Sequence, residues 1–372
     1  GSASGGGSFN FGQRPFAYTA PSGFKALCDT NLPAPVVAKS SDYFQIVLYT
    51  GNGSTQTISG LGFSPDLIWT KSRSRIDNNV LHDIVRGRTS NLYSDLAASE
   101  NTTTTSTADL VSFDANGYTL GTVQQSAMNR SGETYVAWAW DAGSSTVTNT
   151  QGSITSQVRA NASAGFSVVT YTGTGSAGTV GHGLGVKPAF YIVKGRSNSD
   201  NWCVYHTSLT ANNLIFLNLT NASGASARWN NTEPTSTVFS LGTDSSVNGN
   251  GTTYVCYAFS PVAGYGNGFS YTGNGSADGP FQYLGFLPKL ILIKCSSTTG
   301  NWVLLDTERE GYNVDNDPLF PNLSNAEATT DLLDITSNGF KIRSTNADVN
   351  TNAATYIGYA WAESPFQFSR AR

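Results

Sequence analysis

The chain has 372 residues, of which only 12% are charged, with Lys+Arg 21 against Asp+Glu 25. That balance leaves no basic surface to neutralise a phosphate backbone, which argues against a nucleic-acid partner. No run approaches the roughly 18 to 20 apolar residues needed to span a bilayer, and the start (GSASGGGSFNFGQ) has neither the basic nor the apolar region of a signal peptide.

Asn, Thr, Ser and Gly abound while Met is 1, a composition that favours strands and tight turns over helices. The expected fold class is all-β. The leader, residues 1–41, opens on a Gly/Ser stretch and continues as FNFGQRPFAYTAPSGFKALCDTNLPAP, a strand-like start broken by Pro15, Pro21, Pro33 and Pro35. A lone strand cannot bury both faces, so the leader is expected to pack on a neighbour or to be the remnant of a preceding domain.

From residue 42 the chain repeats itself. A Tyr-Thr-Gly-x-Gly string occurs at Tyr49–Gly53, Tyr171–Gly175 and Tyr271–Gly275. Each is followed by a Leu-Gly-x-x-Pro step and an apolar run ending in lysine: LGFSPDLIWTK to Lys71, LGVKPAFYIVK to Lys194 and LGFLPKLILIK to Lys294. Each copy closes on a related block, ETYVAWAW from Glu133, TTYVCYAF from Thr252 and ATYIGYAW from Ala354. The spacing from opening to closing tyrosine is nearly constant, and the repeat is too long for a solenoid unit, which runs about 20 to 50 residues. It has the size of a folding domain. The reading is three β-sandwiches joined as beads, over residues 42–147, 148–263 and 264–372.

Within a copy, the opening strand (FQIVLYT from Phe44, FSVVTYT from Phe166, GFSYT from Gly268) leads into the glycine-rich string, read as a hairpin turn. The apolar run reads as a central strand covered on both faces, its lysine marking emergence into water. Then come NNVLHDIVRG from Asn78, NWCVYHTSL from Asn201 and NWVLLDTER from Asn301. After a variable polar middle section, Asn-Gly pairs in FDANGYTL from Phe113 and ITSNGFKI from Ile335 signal hairpins, while the second copy has VFSLGTDSSVNGNG instead. The closing block alternates, placing Tyr135, Ala137 and Ala139 on one face and Val136, Trp138 and Trp140 on the other.

Chemistry-bearing residues do not form a repeated set. The histidines are His82, His182 and His206; His82-Asp83 and His206 match in position, but the third copy has Asp306 there, so they read as local hydrogen-bonding residues. Acidic residues gather at Asp306, Glu308, Glu310, Asp315 and Asp317, yet their spacing does not fit a twelve-residue calcium loop and the other copies are not acidic there. A solvated loop is expected, with no metal and no cofactor. Cys28, Cys203, Cys256 and Cys295 do not recur with the repeat and read as reduced thiols, Cys203 and Cys256 being the one pair within a single copy that could close. Among the tryptophans, Trp69, Trp138, Trp140 and Trp361 sit in strand-like runs and read as core. Trp202, Trp229 and Trp302 lie beside turn-rich residues and are the candidates for ligand or interface contact.

FNFGQRPFAYTAPSGFKAL resembles the closing strand of a SPRY domain. The blocks GFSPDLIWTKSRS, NNVLHDIVRG, FDANGYTLG and SGETYVAWAW, with their later copies, resemble domains of tail and fibre proteins of marine bacteriophages, over residues 42–372. The resemblance implies a location on the virion, exposed on the particle, and offers no catalytic residues to transfer. The expected function is a non-enzymatic tail-fibre or receptor-binding component, homo-oligomeric with a trimer favoured, contacting other virion proteins and host surface polysaccharide without membrane insertion. A capsid-decorating or filament-forming subunit is the alternative. A glycan depolymerase is the enzymatic reading, disfavoured because no acid/base set recurs.

Overall fold

The computed structural model describes residues 35–102, 109–122, 127–309, 313 and 317–364, with Arg14, Tyr18, Thr19 and Pro21. Most of the leader, Cys28, Glu310 and Asp315 lie outside these residues. The first repeat holds β1 (Phe44–Thr50), β2 (Gln56–Ser59), β3 (Leu67–Ser72), β4 (Val80–Asp83), β5 (Ser90–Tyr93), β6 (Asn101–Thr102), β7 (Leu110–Asp114), β8 (Gly117–Leu120) and β9 (Thr134–Trp140). They form a large sheet, β1-β9-β3-β4-β5-β6, and a small one, β2-β8-β7.

The second repeat holds β10 (Thr146–Asn149), β11 (Ser156–Asn161), β12 (Phe166–Thr172), β13 (Gly178–Gly181), β14 (Phe190–Gly195), β15 (Cys203–His206), β16 (Asn213–Phe216), β17 (Gly224–Ala225), β18 (Val238–Leu241), α1 (Ser245–Asn248) and β19 (Thr253–Phe259). Its sheets are β10-β11-β12-β19-β14-β15-β16-β17 and β13-β18. The third holds β20 (Gly266–Thr272), β21 (Phe281–Tyr283), β22 (Leu287–Cys295), β23 (Trp302–Asp306), β24 (Leu333–Thr336), β25 (Gly339–Ile342), α2 (Ala347–Asn350) and β26 (Thr355–Ser364), in sheets β20-β26-β22-β23 and β21-β25-β24. The fold is all-β, each repeat a sandwich of a large and a small sheet. The β10–β11 hairpin extends the second large sheet past its opening strand, and β10 straddles the expected boundary at 147/148.

The Tyr-Thr-Gly-x-Gly string is not a hairpin turn. It carries the chain from the large sheet to the small one, because β1 pairs β9 while β2 pairs β8. The amides of Gly51, Gly173 and Gly273 donate to the carbonyls of Glu133, Thr252 and Ala354. A Cβ at Gly51 would lie 2.3 Å from Arg130 O, so glycine is required where the two backbones meet. The opening and closing tyrosines stack in every repeat, with ring centroids 5.2 Å apart for Tyr49–Tyr135, 5.1 Å for Tyr171–Tyr254 and 4.9 Å for Tyr271–Tyr356. The hydroxyls of Tyr49, Tyr171 and Tyr271 each donate to a main-chain carbonyl of the segment before the closing strand, those of Met128, Val247 and Val349.

Both Asn-Gly hairpins form, displaced by one residue. The loops are Ala115–Asn116 and Ser337–Asn338, and each glycine begins the return strand. A Cβ on Gly117 or Gly339 would fall 1.9 or 2.0 Å from the carbonyl oxygen of Ile58 or Gln282, so the glycine admits the neighbouring strand rather than the turn. In the second copy no such hairpin forms: β18 pairs only β13 and runs on into α1.

The three sandwiches are not independent beads: the first and second keep interior clusters of their own, and a further apolar cluster joins all three repeats. The closing strand alternates as expected, with Ala137 and Ala139 inside the first sandwich, but Val136, Trp138 and Trp140 enter an apolar cluster that spans all three repeats. On its axis Trp140, Phe259 and Trp361, the matching aromatics of the three closing strands, form a triangle. Their centroids are 6.2, 5.5 and 5.1 Å apart, all in edge-on geometry. The central strands of each large sheet therefore bury both faces, one against their own sandwich and one against the sister repeats. A continuous apolar run such as β22, buried throughout, is what that placement demands.

Candidate functional site

The side chains with chemical potential converge on the three seams between repeats, which share one geometry. The lysine ending each apolar strand is buried rather than emerging into water. Lys71 donates to Asp77 O and, at 2.8 Å, to Ser324 O of the third repeat. Lys194 donates to Gly195 O and, at 3.1 Å, to Ala97 O of the first; Lys294 donates to Cys295 O, Gly300 O and, at 3.1 Å, Thr220 O of the second. Burial pulls all three ammonium groups down to about 8. An ammonium has three donors and no acceptor, so a cage of carbonyls from two repeats satisfies it where water is excluded.

Two of the three candidate tryptophans belong to the same ring of contacts. Trp202 Nε1 donates to Tyr93 O and Leu96 O of the first repeat at 2.9 and 3.1 Å, and Trp302 Nε1 to Phe216 O of the second at 2.8 Å. Asn79 takes the equivalent place in the first repeat, its amide reaching Leu323 O of the third at 2.9 Å. Trp202 and Trp302 are fully buried and clamp one repeat to the next. Trp229 is also fully buried, edge-on to Tyr191 inside the second sandwich with centroids 4.9 Å apart. None of the three faces solvent. Trp69, Trp138, Trp140 and Trp361 are buried as well.

Deeper in two seams lies a charged network. Asp83 is ion-paired with Arg86, which also reaches Glu100 at 2.9 Å; from the second repeat Tyr257 donates to Asp83 at 2.8 Å and Arg196 clamps Glu100 through two bonds of 2.9 and 2.8 Å. The seam between the third and first repeats reproduces it. Asp306 pairs with Arg309 at 2.7 Å, Arg309 reaches Glu327 at 2.8 Å, Trp138 Nε1 donates to Asp306 at 3.0 Å, and Arg73 clamps Glu327. Burial raises the Glu100 and Glu327 carboxyls, but Arg196 and Arg86 on the one, and Arg73 and Arg309 on the other, outweigh it and hold both below the usual carboxylate range. Asp306, expected in a solvated loop, is a buried ion-pair member; Asp317 contributes its carbonyl to Arg309.

The third seam, between the third and second repeats, is neutral. His206 stands in place of the aspartate, and its Nε2 lies 3.0 Å from Gly358 O, while Leu209 replaces the arginine. The clamped pair becomes Ser223 and Ser296, with Ser223 N and Oγ both donating to Ser296 O at 2.8 Å. The main-chain bond is kept in all three, since Glu100 N donates to Arg196 O and Glu327 N to Arg73 O at the same distance.

The histidines are held neutral by burial, His82 at about 3 and His182 and His206 at about 4. His182 bonds within its own sandwich to Thr235 O, but His206 reaches across the seam, so its role is not local. Cys203, Cys256 and Cys295 are free and buried, and burial pushes the Cys203 thiol up to about 12. Among the described residues no group of three or more His, Cys, Asp or Glu is arranged to hold a metal ion, and no helix is long and apolar enough to cross a membrane. A groove lined by Thr155, Gln157, Thr170, Thr172, Thr253 and Arg196 opens on the second sandwich, with its one charged group already clamped to Glu100.

The residues missed in the sequence are Asn129, Asn248 and Asn350, one constant offset before each closing tyrosine. Their amides donate to Ser54 O and Gly121 O, Ser176 O and Gly242 O, and Ser276 O and Ser344 O, stapling each sheet-to-sheet crossing. The constant offset was a readable signal. The seam partners Glu100 and Glu327 lie in the variable middle section, where alignment by eye fails.

No curated protein and no solved structure matches the chain. One family model, described as a domain of unknown function (DUF7483), matches residues 39–365, so a single family unit covers all three sandwiches. The chain belongs to that family.

Proposed function

We propose that this chain is a non-enzymatic structural and attachment module of a bacteriophage virion, most specifically a receptor-facing tail or fibre component. The observation that carries the non-enzymatic part is the use made of the reactive groups. Lys71, Lys194, Lys294, Arg73, Arg196, Glu100, Glu327 and His206 are engaged as cross-links between repeats, largely away from the solvent that a substrate would need. Resemblance of the repeated blocks to phage tail and fibre domains supports the virion location.

The repeats close head to tail, second on first, third on second and first on third, and so present threefold form within one chain. Strand β1 starts and β26 finishes at the end where the axial aromatics meet, and the sheet-to-sheet crossings lie at the opposite end of the same strands. Several weak contacts on such a head sum to useful avidity.

The test is competition. Purified chain should reduce adsorption of the phage to host cells and release no reducing ends from host polysaccharide; gold-labelled antibody should mark the particle's tail. Released reducing ends, or label confined to the capsid with no competition, would replace this reading with the depolymerase or the decoration protein.

A further inference from the structure

The outward faces of the three small sheets are not alike. Strand β2 pairs Ser59 with Gly117, and β21 pairs Tyr283 with Gly339, so Thr57 and Ser59 share their register with Phe281 and Tyr283. In the first repeat the outward residues satisfy one another, Thr57 and Thr119 hydroxyls lying 3.0 Å apart. In the second, Thr179 and Gly181 occupy the edge strand. Only the third carries aromatic rings there, with Phe281 46% and Tyr283 64% exposed. The two side chains lie two residues apart on one face, a rise of roughly 6.7 Å. Neither is covered by the fold, although the same architecture accepts threonine and serine at these places.

The frame around the rings is polar and without net charge. Lys341, opposite Phe281, pairs with Asp278 at 2.8 Å, and Arg343 pairs with Asp334, itself opposite Lys341. Two cations and two carboxylates cancel, which gives no preference for an anionic polymer or membrane. The apolar area is also small. An aromatic side chain buries about 150–250 Å² in full, so two half-exposed rings fall far below the roughly 800 Å² per partner of a stable protein interface. The free edge is three residues long and follows Pro280, too short for a strand to add.

We propose that this face binds a neutral polysaccharide, the apolar faces of two sugar rings lying on Phe281 and Tyr283 while Lys341, Asp334 and Asp278 meet their hydroxyls. The proposal rests on the receptor-facing reading above and names where the glycan sits. Its test is affinity electrophoresis of the full chain through gels holding a neutral polymer (dextran, laminarin or galactan) or an anionic one (alginate). The double variant Phe281→Thr, Tyr283→Ser carries the residues of the first repeat at the same register and should melt as the parent does. Tyr283→Ser alone serves as the milder second variant.

Retardation by at least one neutral polymer, weakened about tenfold in the double variant and partly in the single one, supports the site. Equal retardation of parent and variants, retardation by alginate alone, or no retardation in any gel overturns it. So does self-association of the parent that the double variant loses, which would make the face a contact between copies. If the double variant still competes with phage for host cells as well as the parent, this site is wrong and the attachment reading stands.

Discussion

The seam between the first and second repeats and the seam between the third and second repeats do the same mechanical work with different chemistry. Both keep a tryptophan clamp, a caged lysine and a main-chain bond between matching residues. The first adds Asp83, Arg86, Glu100 and Arg196, where the other has His206, Leu209, Ser223 and Ser296. The shared elements therefore define the docking geometry, and the charges are an addition to it. A buried ion pair must offset the cost of removing both partners from water, so a neutral seam of equal packing can be as stable.

The sharpest break of this comparison is to remove one charge from the buried network. Asp83→Ala leaves the Arg86 guanidinium with Glu100 as its remaining carboxylate and takes the acceptor from Tyr257, and urea denaturation should show a loss of about 3 kcal/mol. His206→Ala, at the same place in the neutral seam, should cost only about 1–2 kcal/mol, the scale of one buried hydrogen bond and its unpaired acceptor. Equal losses would mean the charges matter no more than the packing.

Copying the neutral seam onto the charged one gives the opposite sign. The combined change Asp83→His, Arg86→Leu, Glu100→Ser and Arg196→Ser should leave stability unchanged or raise it by about 1–4 kcal/mol. It should also remove acid sensitivity from that seam. The Glu100 pKa is depressed in the folded chain, so its contribution is present above the unfolded carboxylate pKa and is lost as pH falls through the lower folded one.

The caged lysines make a third contrast, common to all seams. Their folded pKa of about 8 lies below the ordinary value of 10.5, so between these values the unfolded chain binds more protons and stability should rise with pH. Thermal melts from pH 7.5 to 8.5, below the range where the buried thiols and tyrosines act with the opposite sign, should show that rise, and Lys194→Met should reduce it by the share of one lysine in three. The smallest effect belongs to installing the missing clamp, Ser296→Arg with Ser223→Glu. A partly solvated pair of this kind should change stability by at most about 1 kcal/mol.

Much of each sandwich was legible beforehand. Alternation in the closing block, the unbroken apolar run and the Asn-Gly pairs are local patterns, and the strands they predict are present at β9, β22, β8 and β25. Locally, a charge after an apolar run means water, whereas the lysine at each strand end enters a carbonyl cage completed by a second repeat. Trp202 and Trp302 stand beside polar residues in the sequence, and those residues lie at a seam. The tyrosine string looked like a turn since glycine-rich strings usually are, whereas its glycines serve close backbone approach across two sheets.

What the amino-acid order determined alone is the module: its all-β character, its threefold copying, and a closing strand apolar on both faces. That second apolar face had to be covered, but one strand cannot specify by what. Only the tertiary structure decided that the cover is the other two repeats, because the contacts joining Trp140 to Phe259 and Trp361, or Lys71 to Ser324, link residues far apart in the chain through surfaces that exist once each sheet has formed.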